Sequence, residues 1–78
     1  MARSWIVSTI PVAPAAPVVQ NFALDREAAR AEYIGQIAAL GAPQEKIDGD
    51  QAFVMTDHTT LQYTDPNTGT RVVLTTTR

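Results

Sequence analysis

The spacing of hydrophobic positions changes several times along this chain, and each change marks an element. Residues 4–10, Ser-Trp-Ile-Val-Ser-Thr-Ile, follow a period of two, which predicts a strand. Trp5, Val7 and Thr9 fall on one face, and Ile6, Ser8 and Ile10 on the other. Both faces carry apolar residues, so the pattern suits a central or doubly covered strand. Residues 11–21 break the alternation with prolines at 11, 14 and 17. Proline fixes φ and supplies no amide donor. A proline every third residue matches the three-residue turn of polyproline II, so the expectation is a stiff extended arm. Val12, Val18 and Val19 make that arm adhesive.

A helical period begins at Leu24 and predicts a helix over 24–40. Asp25 is placed to cap it, and Glu27 sits in the first turn, where the helix dipole favours a negative charge. Leu24, Ala28, Ala31, Ile34 and Ala38 form one stripe, widened by Ile37. The alanines and Gly35 predict a flat face that permits close approach to a sheet or to another helix. Gly41 stands where a left-handed C-cap belongs, and Pro43 follows it.

Residues 43–50 are polar, with Pro43 able to open one short helical turn. Residues 51–56 and 59–64 read as two strands around an Asp57-His58 turn. Asp65-Pro66-Asn67-Thr68-Gly69-Thr70 is a strong turn signal, and Arg71–Thr77 makes a last β-prone strand. The expected architecture is one α+β domain over 1–78. It has a four-stranded, mostly antiparallel sheet in the order β-α-β-β-β, with one helix on a face. The extended proline-spaced arm follows the first strand, and residues 51–77 form a three-stranded meander.

Composition narrows the chemistry. Seventy-eight residues bury only about 60% of the surface they expose unfolded, so the core is small. There is no cysteine, and there is one histidine. A disulfide framework, a cysteine zinc site and a histidine-rich metal site are therefore excluded within one chain. Six Lys+Arg stand against eight Asp+Glu, a net charge of −2, which argues against a basic nucleic-acid binder. Arg3, Arg26, Arg30, Arg71 and Arg78 are scattered, although Arg26 and Arg30 lie one helical turn apart. Charged residues are 18% and hydrophobic ones 45%, a balance that permits folding. No apolar run reaches the ~18–20 residues of a membrane helix. Arg3, the run Trp5–Val12 and Ala13-Pro14-Ala15 imitate a secretory leader. Ser8, Thr9 and Pro11 interrupt that run, and its β-branched residues suit a strand. Secretion is not expected; a cytoplasmic or virion location is.

No constellation for catalysis emerges, and no cofactor or metal is expected. His58 is the only side chain with a near-neutral reference pKa. Asp57, Thr59 and Thr60 adjoin it, but neighbours on one hairpin tip point in alternating directions and do not build a triad. Asp48-Gly49-Asp50 and Asp65-Pro66-Asn67-Thr68-Gly69 hold cation-type oxygens, yet turns favour these residues on their own account. The expected function is a non-enzymatic structural or assembly protein, a subunit of a larger viral or phage-like particle. Its protein contacts, with copies of itself or other subunits, are assigned to Trp5, Pro11, Pro14, Pro17, Val18, Val19, Val72 and Leu74. The alternative is a monomeric acidic module that inhibits a host protein such as a nucleic-acid-processing defence complex, through Glu45, Asp48, Asp50 and Asp57. Neither reading involves direct nucleic-acid or membrane contact.

Overall fold

The alternation at the N-terminus becomes strand β1 (Ser4–Ile10) in the computed structural model, which describes residues 4–56 and 58–77. The chain is an α+β structure: a four-stranded antiparallel sheet carrying two helices. β1 is central. It pairs antiparallel with β4 (Arg71–Thr77), Val7 opposite Leu74, and with β2 (Val18–Asn21), Val7 opposite Gln20. The strand order is β2-β1-β4-β3, with β3 (Leu61–Thr64) on the far edge.

The extended arm of 11–21 is thus corrected. The chain turns at 12–15, through a cis Ala13–Pro14 peptide, and returns as β2. The prolines at 11, 14 and 17 all stand outside the ladder, where their missing amide donors cost nothing. Val18 and Val19 are β-formers, and β2 satisfies backbone groups on β1 that an arm held away from the sheet would leave open. β2 ends in an irregular pairing. Phe22 N–H donates to Trp5 C=O at 2.8 Å, while Trp5 N–H donates to Ala23 C=O at 2.7 Å. Ala23 takes a left-handed φ of 52° there, and its N–H is held by Asn21 Oδ1.

Helix α1 (Arg26–Ala39) starts behind Asp25, whose carboxylate accepts the Ala28 N–H. At its other end Gly41 N–H reaches Ala38 C=O and Ala42 N–H reaches Ile37 C=O, with Gly41 at φ 84°. These two bonds define the Schellman stop that Gly41 foreshadows. Of the expected stripe only Ile37 is fully buried, with Ala28 and Ile34 half-buried. Ala29, Tyr33 and Ile37, spaced four apart, are fully buried, whereas Leu24, Ala31, Gly35 and Ala38 are exposed. At ~100° per residue the buried positions centre roughly 140–160° around the helix from the alanine stripe, close to its opposite side. The Tyr33 ring and the Ile37 side chain offer far more apolar area than methyl groups do, and burial follows area.

A second helix, α2 (Gln44–Ala52), replaces the single polar turn expected after Pro43 and takes up the start of the expected strand at 51–56. Residues 53–56 are not a strand either. The carbonyls a strand would need are taken by arginines of α1. Arg30 Nη1 donates to Gln51 C=O and Phe53 C=O, and Arg26 Nη1 donates to Met55 C=O at 3.0 Å. The meander is therefore a two-stranded hairpin, β3–β4, and the order is β-β-α-α-β-β with two helices rather than one. The core lies on one side of the sheet only. It consists of Trp5, Val7, Ala29, Tyr33, Ile37, Met55, Leu61, Val72 and Leu74.

Candidate functional site

The two sheet faces have different fates, and the difference follows from register. Val7, Leu74 and Leu61 are directly opposed, and with Trp5 and Val72 they lie under the helices. The alternate residues face the other way: Ser4, Ile6, Ser8 and Ile10 on β1, Val73 and Thr75 on β4, Val19 and Asn21 on β2, Gln62 and Thr64 on β3. Both helices belong to the opposite side, where the core gathers. Ile6, Ile10 and Val73 are half-buried among their neighbours, and Val19 is 61% exposed. Arg71 is the one charged residue on this face among the described residues.

One end of this surface is built by two loops. Ile10 pairs with Arg71, so the β1–β2 turn and the β3–β4 turn share an end of the sheet. They touch: a Cβ placed on Gly69 would lie 2.7 Å from Val12 Cγ2. The β3–β4 turn is rigidified by Asp65. Its carboxylate accepts the Thr68 hydroxyl at 2.7 Å and the Asn67 N–H at 3.1 Å. The Thr68 hydroxyl first, and the Asn67 N–H after it, hold the Asp65 carboxyl below its ordinary pKa. Asp65 therefore serves its own turn, as its Asp-Pro-Asn sequence suggests.

The expected contact residues divide. Val18 and Val19 are exposed on β2, Pro14 and Pro17 are exposed beside it, and Pro11 is half-buried. Trp5, Val72 and Leu74 are core residues, not contact residues. β4 sits between β1 and β3, so Val72 and Leu74 have no edge to offer, and Trp5 lies under the helices.

The described members of the acidic set do not converge. Glu45 and Asp48 are exposed on α2, and Asp48 accepts a bond from Gln44. Asp50 is buried and turned inward, where it accepts the Tyr33 hydroxyl at 2.6 Å and meets Lys46 Nζ at 3.0 Å. Burial first, then the Asp50 hydrogen bond and charge, push the Tyr33 phenol far above its ordinary pKa. Asp57, Arg3 and Arg78 lie outside the described residues. His58 is exposed on a turn held by Thr56 and Thr59, whose hydroxyls and backbone bond to each other. Among the described residues, no group of three or more His, Asp or Glu side chains is arranged to hold a metal ion. Among the described residues, no helix is long and apolar enough to cross a membrane either.

Sequence reasoning missed two constellations. One is the Tyr33–Asp50–Lys46 link, the other the hold of Arg26 and Arg30 on 51–55. The i,i+4 spacing of Lys46 and Asp50 was a local signal for part of the first, and the one-turn spacing of the arginines for part of the second. Their distant partners left no signal. The apolar content of both β1 faces was the visible trace of the open sheet face. Comparison with known proteins adds no identification: no family model matches the chain, and no curated protein or solved structure is significantly similar to it.

Proposed function

We propose that this chain is a small non-enzymatic assembly subunit that makes protein contacts through its N-terminal hairpin and its open sheet face. The observation that carries the reading is the apolar content of that face. Ile6, Ile10 and Val73 occupy it without a covering layer among the described residues, and Val12, Val18 and Val19 extend apolar surface over the adjoining hairpin, each more than half exposed. One-sided antiparallel sheets normally present a polar outer face, so three branched aliphatic residues there favour a contact role. A near absence of charge across the same face suits an apolar partner surface rather than a charged one. Particles of viral or phage type are the setting this reading retains, because small subunits there gain from their neighbours the burial a small core lacks.

Among the described residues the acidic-inhibitor alternative keeps Glu45 and Asp48, since Asp50 is engaged inside the fold. Two exposed carboxylates on one short helix make a weak electrostatic lure.

The test is the size of the native complex. In an extract of its own source, the chain should elute well above its 8.4 kDa monomer mass. The double substitution Ile6→Ser with Val73→Asp should return it to the monomer position, with the far-UV circular dichroism of the purified protein unchanged. Monomer-sized elution of the unaltered chain in that extract would refute the reading. Deleting the first 17 residues is not a usable test, because it removes the central strand β1.

A further inference from the structure

We propose that β2 is a self-pairing edge, through which two copies of this chain form an isologous dimer with one continuous eight-stranded sheet. The inference rests on the assembly reading above and names its first partner, a second copy of the chain.

The argument begins with backbone groups. β2 is an outer strand of the sheet, paired on one side with β1. Phe22 N–H donates to Trp5 C=O. In an antiparallel ladder the residues that bond inward alternate, so Gln20 and Val18 also face β1 with their backbone groups. Val19 and Asn21 then aim theirs away from the sheet. Two features bound the free edge. Pro17 carries no amide hydrogen, and the irregular pairing at Phe22–Ala23, with Ala23 at φ 52°, ends the strand.

That leaves two outward residues spaced two apart. A two-fold axis through Gln20 places Val19 opposite Asn21 of the second copy, and Asn21 opposite its Val19. Both outward residues are then used in each copy. Shifting the register toward the N-terminus sets Asn21 against Pro17, which has no donor. Shifting it the other way sets Val19 against the left-handed Ala23. The strand therefore selects one register of itself.

Side chains agree with this. The strand Val-Val-Gln-Asn holds no charge, so self-pairing brings no like charges together. It also lacks the lysine, internal proline or mid-strand bulge that commonly protects an edge. Val18 and Val19 are 55% and 61% exposed, which is high for aliphatic residues in a strand. An axis perpendicular to the sheet keeps the helices of both copies on one side. It joins the two open faces on the other side into one platform twice as wide. A four-residue edge buries less than the roughly 800 Å² per partner of a standard interface, so the dimer is expected to be weak and concentration-dependent.

The chain has no cysteine, which allows a clean register test. In the proposed register the two Gln20 residues form a non-hydrogen-bonded pair with Cβ atoms about 4.5–5.5 Å apart, close to disulfide reach. Each Val18 faces Phe22 of the other copy, so the two Val18 residues are far apart. Sedimentation equilibrium of the purified chain, taken up to about 1 mM, should show the mass rising toward twice the monomer value. Val19→Lys should remain monomeric with unchanged circular dichroism. Val19→Pro, which removes only an outward donor, should do the same. Under mild oxidation Gln20→Cys should cross-link severalfold faster than Val18→Cys. The proposal is overturned by a monomer throughout the range, by a folded Val19→Lys that dimerises like the parent, or by Val18→Cys linking as fast as Gln20→Cys. A monomeric purified chain that still elutes large from its native extract would sink the self-pairing alone and leave the assembly reading standing.

Discussion

Replacing Tyr33 with Phe removes a single oxygen, yet that oxygen holds the second helix. α2 has almost no apolar face of its own: Asp50 is its one buried residue, and Ile47 packs half-buried on the core. Asp50 accepts the Tyr33 hydroxyl at 2.6 Å and the Lys46 ammonium at 3.0 Å. A hydrogen bond to a charged group contributes about 1.5–3 kcal/mol net. In Tyr33→Phe the carboxylate keeps Lys46, so the expected loss is about 1.5 kcal/mol, at the lower end of that range. Asp50→Ala is harsher, because it strands a fully buried hydroxyl, at about 1–3 kcal/mol, and releases Lys46. The Lys46 pair itself adds little, since its side chain is 35% exposed and partly screened by water.

A chain of this length is stable by about 4–12 kcal/mol, so either change is a large fraction of the whole. Each kcal/mol lowers the melting temperature by about 4–8 °C at this size. Urea unfolding followed by the fluorescence of Trp5, the only tryptophan and a buried one, reads the loss directly. Asp50→Ala should also lose helical ellipticity before global unfolding, as α2 frays. The double mutant separates the pair from its surroundings, and a coupling of about 1 kcal/mol or more is expected. A Tyr33→Phe protein within about 0.5 kcal/mol of the parent, the range of ordinary surface changes, would refute the claim that this bond fastens α2.

The glycines give a contrasting set. Gly35→Ala, exposed in mid-helix with open space for its Cβ, should stabilise by about 0.5–1 kcal/mol. Gly69→Ala should destabilise by about 1–3 kcal/mol, because φ is +77° and the new methyl meets Val12 at 2.7 Å; urea titrations measure both changes. Arg30→Ala should free the carbonyls of Gln51 and Phe53 and raise amide exchange through residues 51–55, with β3 and β4 unaffected. Asp65 has a folded pKa below its unfolded value, so its stabilising contribution is present above the unfolded pKa and is lost as pH falls through the folded one. Thr68→Val should flatten that acid limb of the stability–pH curve, and an unchanged limb would show that the turn carboxylate is not its source.

Local rules read well where local physics decides. Asp25 and Gly41 bracket α1 because a cap and a left-handed stop are set by a few neighbouring residues. The Asp65–Thr70 turn forms because an aspartate, a proline and a glycine carry it within six residues. Alternation at 4–10 specified a strand with two apolar faces. That strand is central, as the alternation allowed, but the helices cover only one of its two faces.

The remainder depended on partners far away in sequence. Val18 and Val19 became β2 only because β1 offered an edge, and prolines alone would have kept the segment extended. Residues 51–56 left the strand state because Tyr33, Arg26 and Arg30, some 17–29 residues upstream, claimed the carboxylate and carbonyls around them. Which face of α1 is buried was decided by the area of Tyr33 and Ile37 against the sheet, a sum over contacts that a stripe of alanines does not reveal. Whether Val72 and Leu74 were edge or core turned on strand order, which is tertiary by definition. Composition and spacing settle what a segment can form locally, whereas competition among distant donors, acceptors and apolar surfaces decides which of those forms survives.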